Sequence, residues 1–219
     1  MKKEFVVIGL GRFGGSIVSE LIDLDADVMA IDISPARVDD FANIATQAVV
    51  ADTTDEAVLH SLGIRNFEHV VVAIGENIQA SILTTLMLKE IGVPKITVKA
   101  QNVYHEKVLK KIGADQVVHP ERDMAVRIAN NMVSNNILDY LELSDEHSIA
   151  EIKVNEKIAG HSIIKLDIRA KYAVNIVAIK RSNDIIVSPQ AEDVIEVDDI
   201  LIVIGSDKDI HVFEKKLFH

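Results

Sequence analysis

Phe5-Val-Val-Ile-Gly-Leu-Gly-Arg-Phe-Gly-Gly-Ser16 lies near the N-terminus of the chain, and in it an apolar run leads directly into a cluster of glycines. The glycines have G-x-G-x-x-G spacing and are Gly9, Gly11 and Gly14. This pattern is informative only between a strand and a helix, and residues 5–8 predict the strand while residues 16–24 predict the helix. The first glycine then permits a tight turn, the second lets the backbone approach a pyrophosphate, and the third lets helix and strand pack closely. The alternative is a strand–helix turn that binds nothing.

A second apolar run, residues 28–31, ends in Asp32. An acidic residue at this distance beyond the glycines accepts hydrogen bonds from ribose hydroxyls in dinucleotide-binding folds. The N-terminus of the first helix offers unpaired N–H groups and a positive dipole end to phosphates. Together these features predict an adenine-nucleotide site, and the carboxylate disfavours NADP because a 2′-phosphate would face it.

The composition restricts the class of protein. Of the 219 residues, 48% are hydrophobic but only 4% are aromatic, so the core must be aliphatic, as suits parallel strands buried on both faces. The absence of cysteine excludes a disulfide framework, thiolate metal ligands and a cysteine nucleophile. We expect no direct membrane insertion and a cytoplasmic location, because the sequence has neither a long apolar span nor a signal-peptide pattern. The net charge of −11 argues against a nucleic-acid partner.

Short apolar runs alternate with helical patterns up to about Val118. The runs are residues 5–8, 28–31, 48–51, 70–74, 96–99 and 116–118. Six strands alternating with helices predict a Rossmann-type doubly wound parallel sheet of the α/β class. Its expected strand order is 3-2-1-4-5-6, with the ligand crevice beside strand 1, where the order reverses.

A long helix is predicted over residues 122–138, after His119-Pro120 interrupts the alternation. One broad face of this crossover helix carries the apolar side chains of Ala125, Ile128, Ala129, Met132, Val133 and Ile137. Either the helix covers its own sheet, or it crosses to another subunit and buries this face there. We favour the second interpretation.

A small α+β lobe is predicted after a linker at residues 144–147. Its predicted strands are residues 149–154, 174–180, 185–187 and 200–204, and its predicted helices are residues 163–170 and 208–217. The sequence therefore divides into a nucleotide-binding N-lobe (1–120), a crossover helix and linker (121–147), and a C-terminal lobe (148–219).

The sequence favours binding over catalysis. A dehydrogenase needs a residue that moves a proton while the hydride moves, and the chain has neither a Tyr-x-x-x-Lys pair nor an evident acid–base set. It has no G-x-x-x-x-G-K-[ST] loop, and its eight histidines lack metal-ligand spacing. We therefore expect that the protein is not an enzyme, with an NAD-dependent oxidoreductase as the alternative.

Three charged residues have two or more interpretations each. Arg12 could reach a terminal phosphate or a neighbouring subunit, or could be an exposed loop arginine. Asp52 ends the third strand and could meet adenine, or could cap the helix that opens at Thr53-Thr-Asp55. Glu121 could be a dipole-favoured carboxylate in a first helical turn, or could hold a bridging cation near phosphates.

Several segments together resemble the RCK family (regulators of potassium conductance), in particular the KtrA/KtrC type of the Ktr potassium uptake system, which is akin to TrkA. They are Gly9-Leu-Gly-Arg-Phe-Gly14, Asp32, Lys99-Ala-Gln-Asn102, Ile112-Gly-Ala-Asp115, His119-Pro120-Glu121 and Ile163-Ile-Lys-Leu-Asp-Ile-Arg-Ala-Lys-Tyr-Ala-Val-Asn-Ile176. The resemblance covers essentially the whole chain. It departs from the family at Ala173 and Asp198, where a glycine often stands.

The resemblance implies a regulatory subunit that is peripheral to the cell membrane. Dimers would form a homo-octameric ring on a KtrB-type membrane potassium channel subunit, and exchange of ATP and ADP in the N-lobe would alter channel activity. The implied nucleotide contacts are Gly9, Gly11, Arg12, Phe13, Gly14, Asp32, Asp52 and Lys99, with Arg12 on the γ-phosphate. Glu121 would share a divalent cation, Mg or Ca, with ATP. Cyclic di-AMP would bind between two C-lobes through Ile163, Ile164, Arg169, Asn175 and Ile176.

Overall fold

Six parallel strands form the sheet of the N-terminal unit in the computed structural model, which describes residues 2–133, 137–144 and 146–218. The strands are β1 (Glu4–Ile8), β2 (Asp27–Asp32), β3 (Gln47–Val50), β4 (His69–Val72), β5 (Lys95–Lys99) and β6 (Gln116–Val118). They lie in the order β3-β2-β1-β4-β5-β6, which confirms the predicted order and the Rossmann-type fold.

Within the described residues, six α-helices and one short 3-10 helix (Ile64–Asn66) accompany these strands. The α-helices are α1 (Arg12–Asp23), α2 (Pro35–Asp39), α3 (Glu56–Ser61), α4 (Ile78–Glu90), α5 (Val103–Lys111) and α6 (Pro120–Val133). The predicted start of α1 at residue 16 is wrong, because the backbone of Gly11 is already extended as an N-cap and the helix begins at Arg12. Arg12 and Phe13 therefore belong to the first helical turn rather than to a loop.

Aliphatic side chains cover both faces of the parallel sheet. Along β1, Val6 and Ile8 join one buried cluster whereas Val7 joins another, because successive side chains of a strand point to opposite faces. The first cluster includes Leu88 of α4, and the second includes Val18 of α1. Burial on both faces explains why these strands are uninterrupted apolar runs.

The second unit begins at Arg122 and contains an antiparallel sheet of five strands in the order β10-β9-β11-β8-β7. The strands are β7 (Ile137–Ser144), β8 (His147–Lys153), β9 (Asn175–Arg181), β10 (Asp184–Val187) and β11 (Ile200–Ser206). The helices after α6 are α7 (Ile163–Leu166), α8 (Ile168–Tyr172) and α9 (Asp207–Phe218). A buried cluster joins the sheet to the helices through Leu201 and Phe213, among others. The predicted α+β character of the C-lobe is confirmed.

The predicted crossover helix and linker are partly wrong. Helix α6 ends at Val133, residues 134–136 lie outside the described residues, and Ile137 is buried at the start of β7. The predicted linker at residues 144–147 is also wrong, because Ser144 ends β7 and His147 begins β8, and these two strands pair antiparallel. Asp145 lies outside the described residues. The three leucines and Glu142 of β7 favour a helix locally, but pairing with β8 outweighs that weak propensity.

Five non-glycine residues in the described part of the C-lobe have a left-handed backbone, which side chains with a Cβ rarely adopt, and three of them bear on the predictions. Asp167, with φ of 51°, separates α7 from α8 and so divides the single helix predicted over residues 163–170. Ala173 and Asp198 have φ of 55° and 66°. These are the two positions at which the resemblance implies glycine, the residue that adopts a left-handed backbone most readily.

Helix α6 exposes its apolar side chains. Every side chain from residue 121 to residue 129 is exposed; the exposed fraction is 50% for Ile128 and 80% for Met132. The described part of this helix therefore does not bury its apolar face within the chain. No helix within the described ranges combines the length and the apolar character needed to cross a membrane.

Candidate nucleotide-binding cleft

A cleft of about 550 Å³ opens at the carboxyl ends of the parallel strands. Strand β1 pairs with β2 on one side and β4 on the other, so the strand order reverses at this point and leaves the crevice that doubly wound sheets use for ligands. The cleft is lined by the turn after β1, the end of β2, the loops after β3 and β4, and the side chains of Lys99 and Glu121. Its volume lies within the range of small-molecule sites.

The three glycines of the first turn differ in what surrounds them. Gly9 has φ of +94°, and a Cβ there would lie 2.9 Å from the carbonyl carbon of Ala73. A Cβ on Gly14 would lie 1.9 Å from the carbonyl oxygen of Gly9. A Cβ on Gly11 would meet no atom within 4 Å beyond its chain neighbours, because it would point into open space. Folding thus requires Gly9 and Gly14, whereas the space beside Gly11 suits a phosphate group.

The N-terminus of α1 faces this space. Gly11 is the N-cap and has no side chain that could accept from the first helical N–H groups. The N–H groups of the first turn lack intrahelical acceptors and carry the positive end of the helix dipole. An anion beside Gly11 would therefore meet both hydrogen-bond donors and a favourable potential.

Asp32 is a buried carboxylate at the end of β2. Its Oδ2 accepts from the N–H of Leu10 at 2.7 Å, and its Oδ1 accepts from the N–H of Ser34 at 2.9 Å. The Nη1 atom of Arg37 lies 3.5 Å from Oδ2. Each carboxylate oxygen keeps accepting capacity for a further donor. The turn thus fixes this carboxylate in an orientation that suits ribose hydroxyls.

Asp52 closes a turn at the rim of the cleft. Its Oδ1 accepts from the hydroxyl of Thr54 at 2.7 Å and from the N–H of Thr54 at 2.9 Å, and these bonds lower the pKa of Asp52. The N-cap of α3 is Asp55, whose carboxylate accepts from the N–H of Ala57 at 2.9 Å. The suggestion that Asp52 caps this helix is therefore wrong, although Asp52 does line the cleft.

Charged side chains gather at the opposite end of the cleft from Asp32. The Nζ of Lys99 contacts Oε1 of Glu121 at 2.5 Å and lies 5.7 Å from the ring centroid of Phe13. The hydrogen bond from Lys99 lowers the pKa of Glu121, and the charge of Arg12 contributes in the same direction. The cations of α1 and β5 are thus close to the first turn of α6.

Two further segments of the family pattern stabilise the fold around the cleft. Asn102 caps α5 by accepting from the N–H of Tyr104 at 3.0 Å and of His105 at 2.9 Å. Asp115 accepts from the N–H of Ile96 at 2.8 Å and pairs with Lys89. These contacts position β5 and its loop, and so position Lys99.

Sequence reasoning missed several residues that line the cleft. Arg37 and the exposed Ile33 flank Asp32, and Gly75-Glu76-Asn77 forms the loop between β4 and α4. Asn77 caps α4 by accepting from the N–H of Ala80 at 3.0 Å. This loop could have been found from the predicted strand order. It follows β4, the neighbour of β1 on the far side of the point where the order reverses. Arg37 could have been found from its position one turn into the helix after Asp32.

The C-lobe residues of the resemblance differ in exposure. Ile163 and Ile176 are half-buried and pack against the C-lobe core, whereas Ile164, Arg169 and Asn175 are exposed.

In the ranges that the structure describes, no group of three or more histidine, aspartate or glutamate side chains is arranged to hold a metal ion. Glu121 would therefore need ligands from elsewhere, such as phosphate oxygens, to bind a cation.

Comparisons with known proteins support the family assignment. A TrkA-N domain model matches residues 5–120, and a TrkA-C domain model matches residues 148–217. Ktr system potassium uptake protein C of Bacillus subtilis (strain 168) is 66% identical over 219 residues, which are 100% of this chain and 99% of the relative. Ktr system potassium uptake protein A of the same organism is 55% identical over 214 residues, covering 98% and 96%.

Solved structures show the same fold. The crystal structure of the GsuK RCK domain matches with a TM-score of 0.70 at 16% identity, covering 100% of this chain and 48% of that chain. The two domain models match in the same order along the chain as its parallel-sheet and antiparallel-sheet units. The chain therefore belongs to the RCK family of Ktr and TrkA potassium uptake proteins.

Proposed function

We propose that this chain is the regulatory subunit of a Ktr-type potassium uptake system and that it binds ATP or ADP in the N-lobe cleft. The observation that carries the proposal is one cleft with a ribose-type carboxylate at one end and cations at the other. Asp32 would hold the ribose, Gly11 and the start of α1 would hold the phosphates, and Arg12 would meet a terminal phosphate. Relatives that are 66% and 55% identical carry the names of Ktr potassium uptake proteins, which supports the proposal.

We propose binding and regulation rather than catalysis. In the cleft, Lys99 pairs with Glu121 and Arg12 adds a second cation nearby, an arrangement that suits electrostatic recognition of phosphate better than proton transfer. An NAD-dependent oxidoreductase is the second candidate, because a dinucleotide would use the same glycine turn and the same ribose carboxylate. The names of the relatives refer to potassium uptake, which favours the regulatory role over an oxidoreductase.

We expect Arg12→Ala to weaken ATP binding about tenfold or more while ADP binding changes less, since a charge-assisted hydrogen bond contributes about 1.5–3 kcal/mol. The reason is that Arg12 lies in the first turn of α1, beside the charged pair that the terminal phosphate would approach. Calorimetric titration of the full-length protein with both nucleotides measures the two affinities.

The matched control for Arg12 is Arg37→Ala, which removes another cation from the lining of the same cleft. Because Arg37 lies 3.5 Å from Asp32 at the ribose end, its loss should weaken ATP and ADP binding by the same factor. Equal losses for both nucleotides in Arg12→Ala would place Arg12 away from the terminal phosphate.

Repeating the ATP titrations with and without magnesium or calcium tests whether Glu121 shares a cation with ATP. If it does, Glu121→Gln should reduce the effect of the cation on ATP affinity.

We propose a homo-oligomer, built from dimers that form an octameric ring on a KtrB-type membrane subunit at the cytoplasmic face. The exposed apolar face of α6 supports the self-association. We expect Ile128→Glu combined with Met132→Glu to dissociate the assembly, because buried carboxylates without partners oppose association. Light scattering measures the mass in solution. Asp123→Lys, at an exposed polar position of the same helix, should leave the mass unchanged. A well-folded monomeric wild type would contradict this proposal.

Cyclic di-AMP is the ligand we propose for the C-lobe, bound between two copies. A symmetric ligand fits a two-fold axis at which each copy presents the same groups. The exposed Arg169 can meet a phosphate with two hydrogen bonds, Asn175 can add one more, and Ile164 offers an exposed apolar surface to adenine. Ile163 and Ile176 would support this surface from the core side.

We expect Arg169→Ala to weaken cyclic di-AMP binding about tenfold or more, by loss of a charge-assisted contact. Titration calorimetry of the full-length protein is the measurement, because a fragment starting at residue 148 would lose strand β7 of the C-lobe sheet. Lys165→Ala, which removes an exposed cation from α7, is the control and should retain binding. Equal losses in both variants would indicate attraction by net charge alone. A wild-type protein that does not bind cyclic di-AMP would refute the proposed site.

A further inference from the structure

Lys99 connects two elements of the cleft that are far apart in sequence. It ends β5, and its ammonium contacts Glu121 in the first turn of α6 and lies over the ring of Phe13 in the first turn of α1. The third neighbour is the loop after β4, where a Cβ on Gly75 would lie 3.8 Å from Nζ. The ammonium is therefore held at the wall of the cleft where the phosphate-binding turn meets α6.

The two members of the ion pair differ sharply in exposure. The side chain of Lys99 is 13% exposed, whereas that of Glu121 is 69% exposed. A solvated carboxylate forms a weak pair and loses little when it turns towards water. The ammonium has no comparable freedom, because its neighbours enclose most of its side chain. Of the two residues, Glu121 is the one that can leave the contact.

A terminal phosphate would compete with Glu121 for this ammonium. A phosphate group carries more negative charge than a carboxylate and offers three acceptor oxygens, so it forms the stronger pair with a partly buried cation. Adenosine anchored at Asp32 with its phosphates beside Gly11 would direct the end of the phosphate chain towards this end of the cleft. The length of the phosphate chain then determines whether it reaches Lys99.

We propose that Lys99 determines specificity for the terminal phosphate by exchanging Glu121 for phosphate oxygens, so that a triphosphate separates Lys99 from the first turn of α6. This inference rests on the proposed nucleotide function and deepens it. A contact between Lys99 and nucleotide is already expected. The new element is that Glu121 leaves Lys99 when a terminal phosphate binds. Release of that partner changes the contacts at the start of α6 according to the number of phosphates bound.

A double-mutant cycle tests the exchange, with ATP and ADP affinities measured by calorimetry on the full-length protein in EDTA. Lys99→Met keeps a long, unbranched side chain and should weaken ATP binding about tenfold while ADP binding changes less. Glu121→Gln removes the competing charge and should strengthen ATP binding severalfold. In the Lys99→Met background, the same change at Glu121 should have almost no effect.

Several outcomes would overturn the exchange. Glu121→Gln strengthening ATP binding equally in both backgrounds would show repulsion of phosphate by the carboxylate alone. Equal effects of Lys99→Met on ATP and ADP would show that Lys99 does not distinguish the terminal phosphate. Lys99→Arg should retain the ATP preference, which separates loss of the cation from a folding defect, and thermal unfolding of each variant checks its fold. A wild type that binds no adenine nucleotide would instead refute the proposed function itself.

Discussion

Replacement of Gly14 by alanine is expected to destabilise the N-terminal unit by roughly 3 kcal/mol or more, because overpacking that forces the backbone to move is among the costliest substitutions. The added Cβ would lie 1.9 Å from the carbonyl oxygen of Gly9 and 3.0 Å from the Cβ of Ala73. Neither neighbour is the flexible end of a side chain, so α1 and the turn would have to separate. Urea unfolding of the full-length protein, followed by circular dichroism, measures the loss.

The matched control for Gly14 is Gly11→Ala in the same turn. Its backbone has φ of −70°, which alanine adopts without strain, and its Cβ would meet no atom within 4 Å beyond its chain neighbours. The stability should therefore fall by no more than about 1 kcal/mol, which is the ordinary preference for glycine over alanine at an N-cap. ATP and ADP binding should nevertheless fall, because the methyl group would occupy the space proposed for phosphate. A Gly14→Ala protein as stable as Gly11→Ala would contradict the described packing of the turn.

Asp32→Ala is expected to weaken ATP, ADP and AMP binding by the same factor, about 100-fold, as the loss of two hydrogen bonds to a charged acceptor predicts. The factor should be equal because all three ligands share the ribose and differ only in phosphates. The substitution also leaves the N–H groups of Leu10 and Ser34 without the acceptor that they use now. Calorimetry gives the affinities, and thermal unfolding gives the accompanying loss of stability.

The control for Asp32 is Asp27→Ala, which removes the same charge from the other end of β2. Asp27 does not line the cleft, so nucleotide affinity should be unchanged. A loss that grew with the number of phosphates in Asp32→Ala would contradict the ribose role. It would indicate instead that Asp32 acts through the phosphate-binding turn, to which it is connected by the N–H of Leu10.

The parallel sheet and its turn could be predicted from sequence because their signals are local. The apolar runs of β1 and β2 indicate burial on both faces of the sheet. The spacing of Gly9 and Gly14 indicates a turn that has no room for a Cβ. Asp32 follows from its position at the end of β2. Each of these inferences needs only a short window of sequence and the rule that parallel strands place their carboxyl ends at one edge.

The remaining features depend on contacts between distant segments. The segment 137–144 has helix-forming residues, and only pairing with β8 makes it a strand. The contact of Lys99 with Glu121 joins β5 to α6, and neither residue carries a local signal for it. Arg37 differs from these, because it lies close to Asp32 in sequence, and its place in the helix that follows β2 is a local signal that could have identified it.

Calorimetric titration of the purified full-length protein with ATP, ADP, NAD and NADH distinguishes a regulatory adenine-nucleotide site from a dehydrogenase site. We expect ATP and ADP to bind in the same cleft, to compete with each other, and to bind more weakly in Asp32→Ala. Neither nicotinamide dinucleotide should bind more tightly than they do. Preferential binding of NADH, together with turnover of any substrate, would refute the regulatory nucleotide site and favour an oxidoreductase.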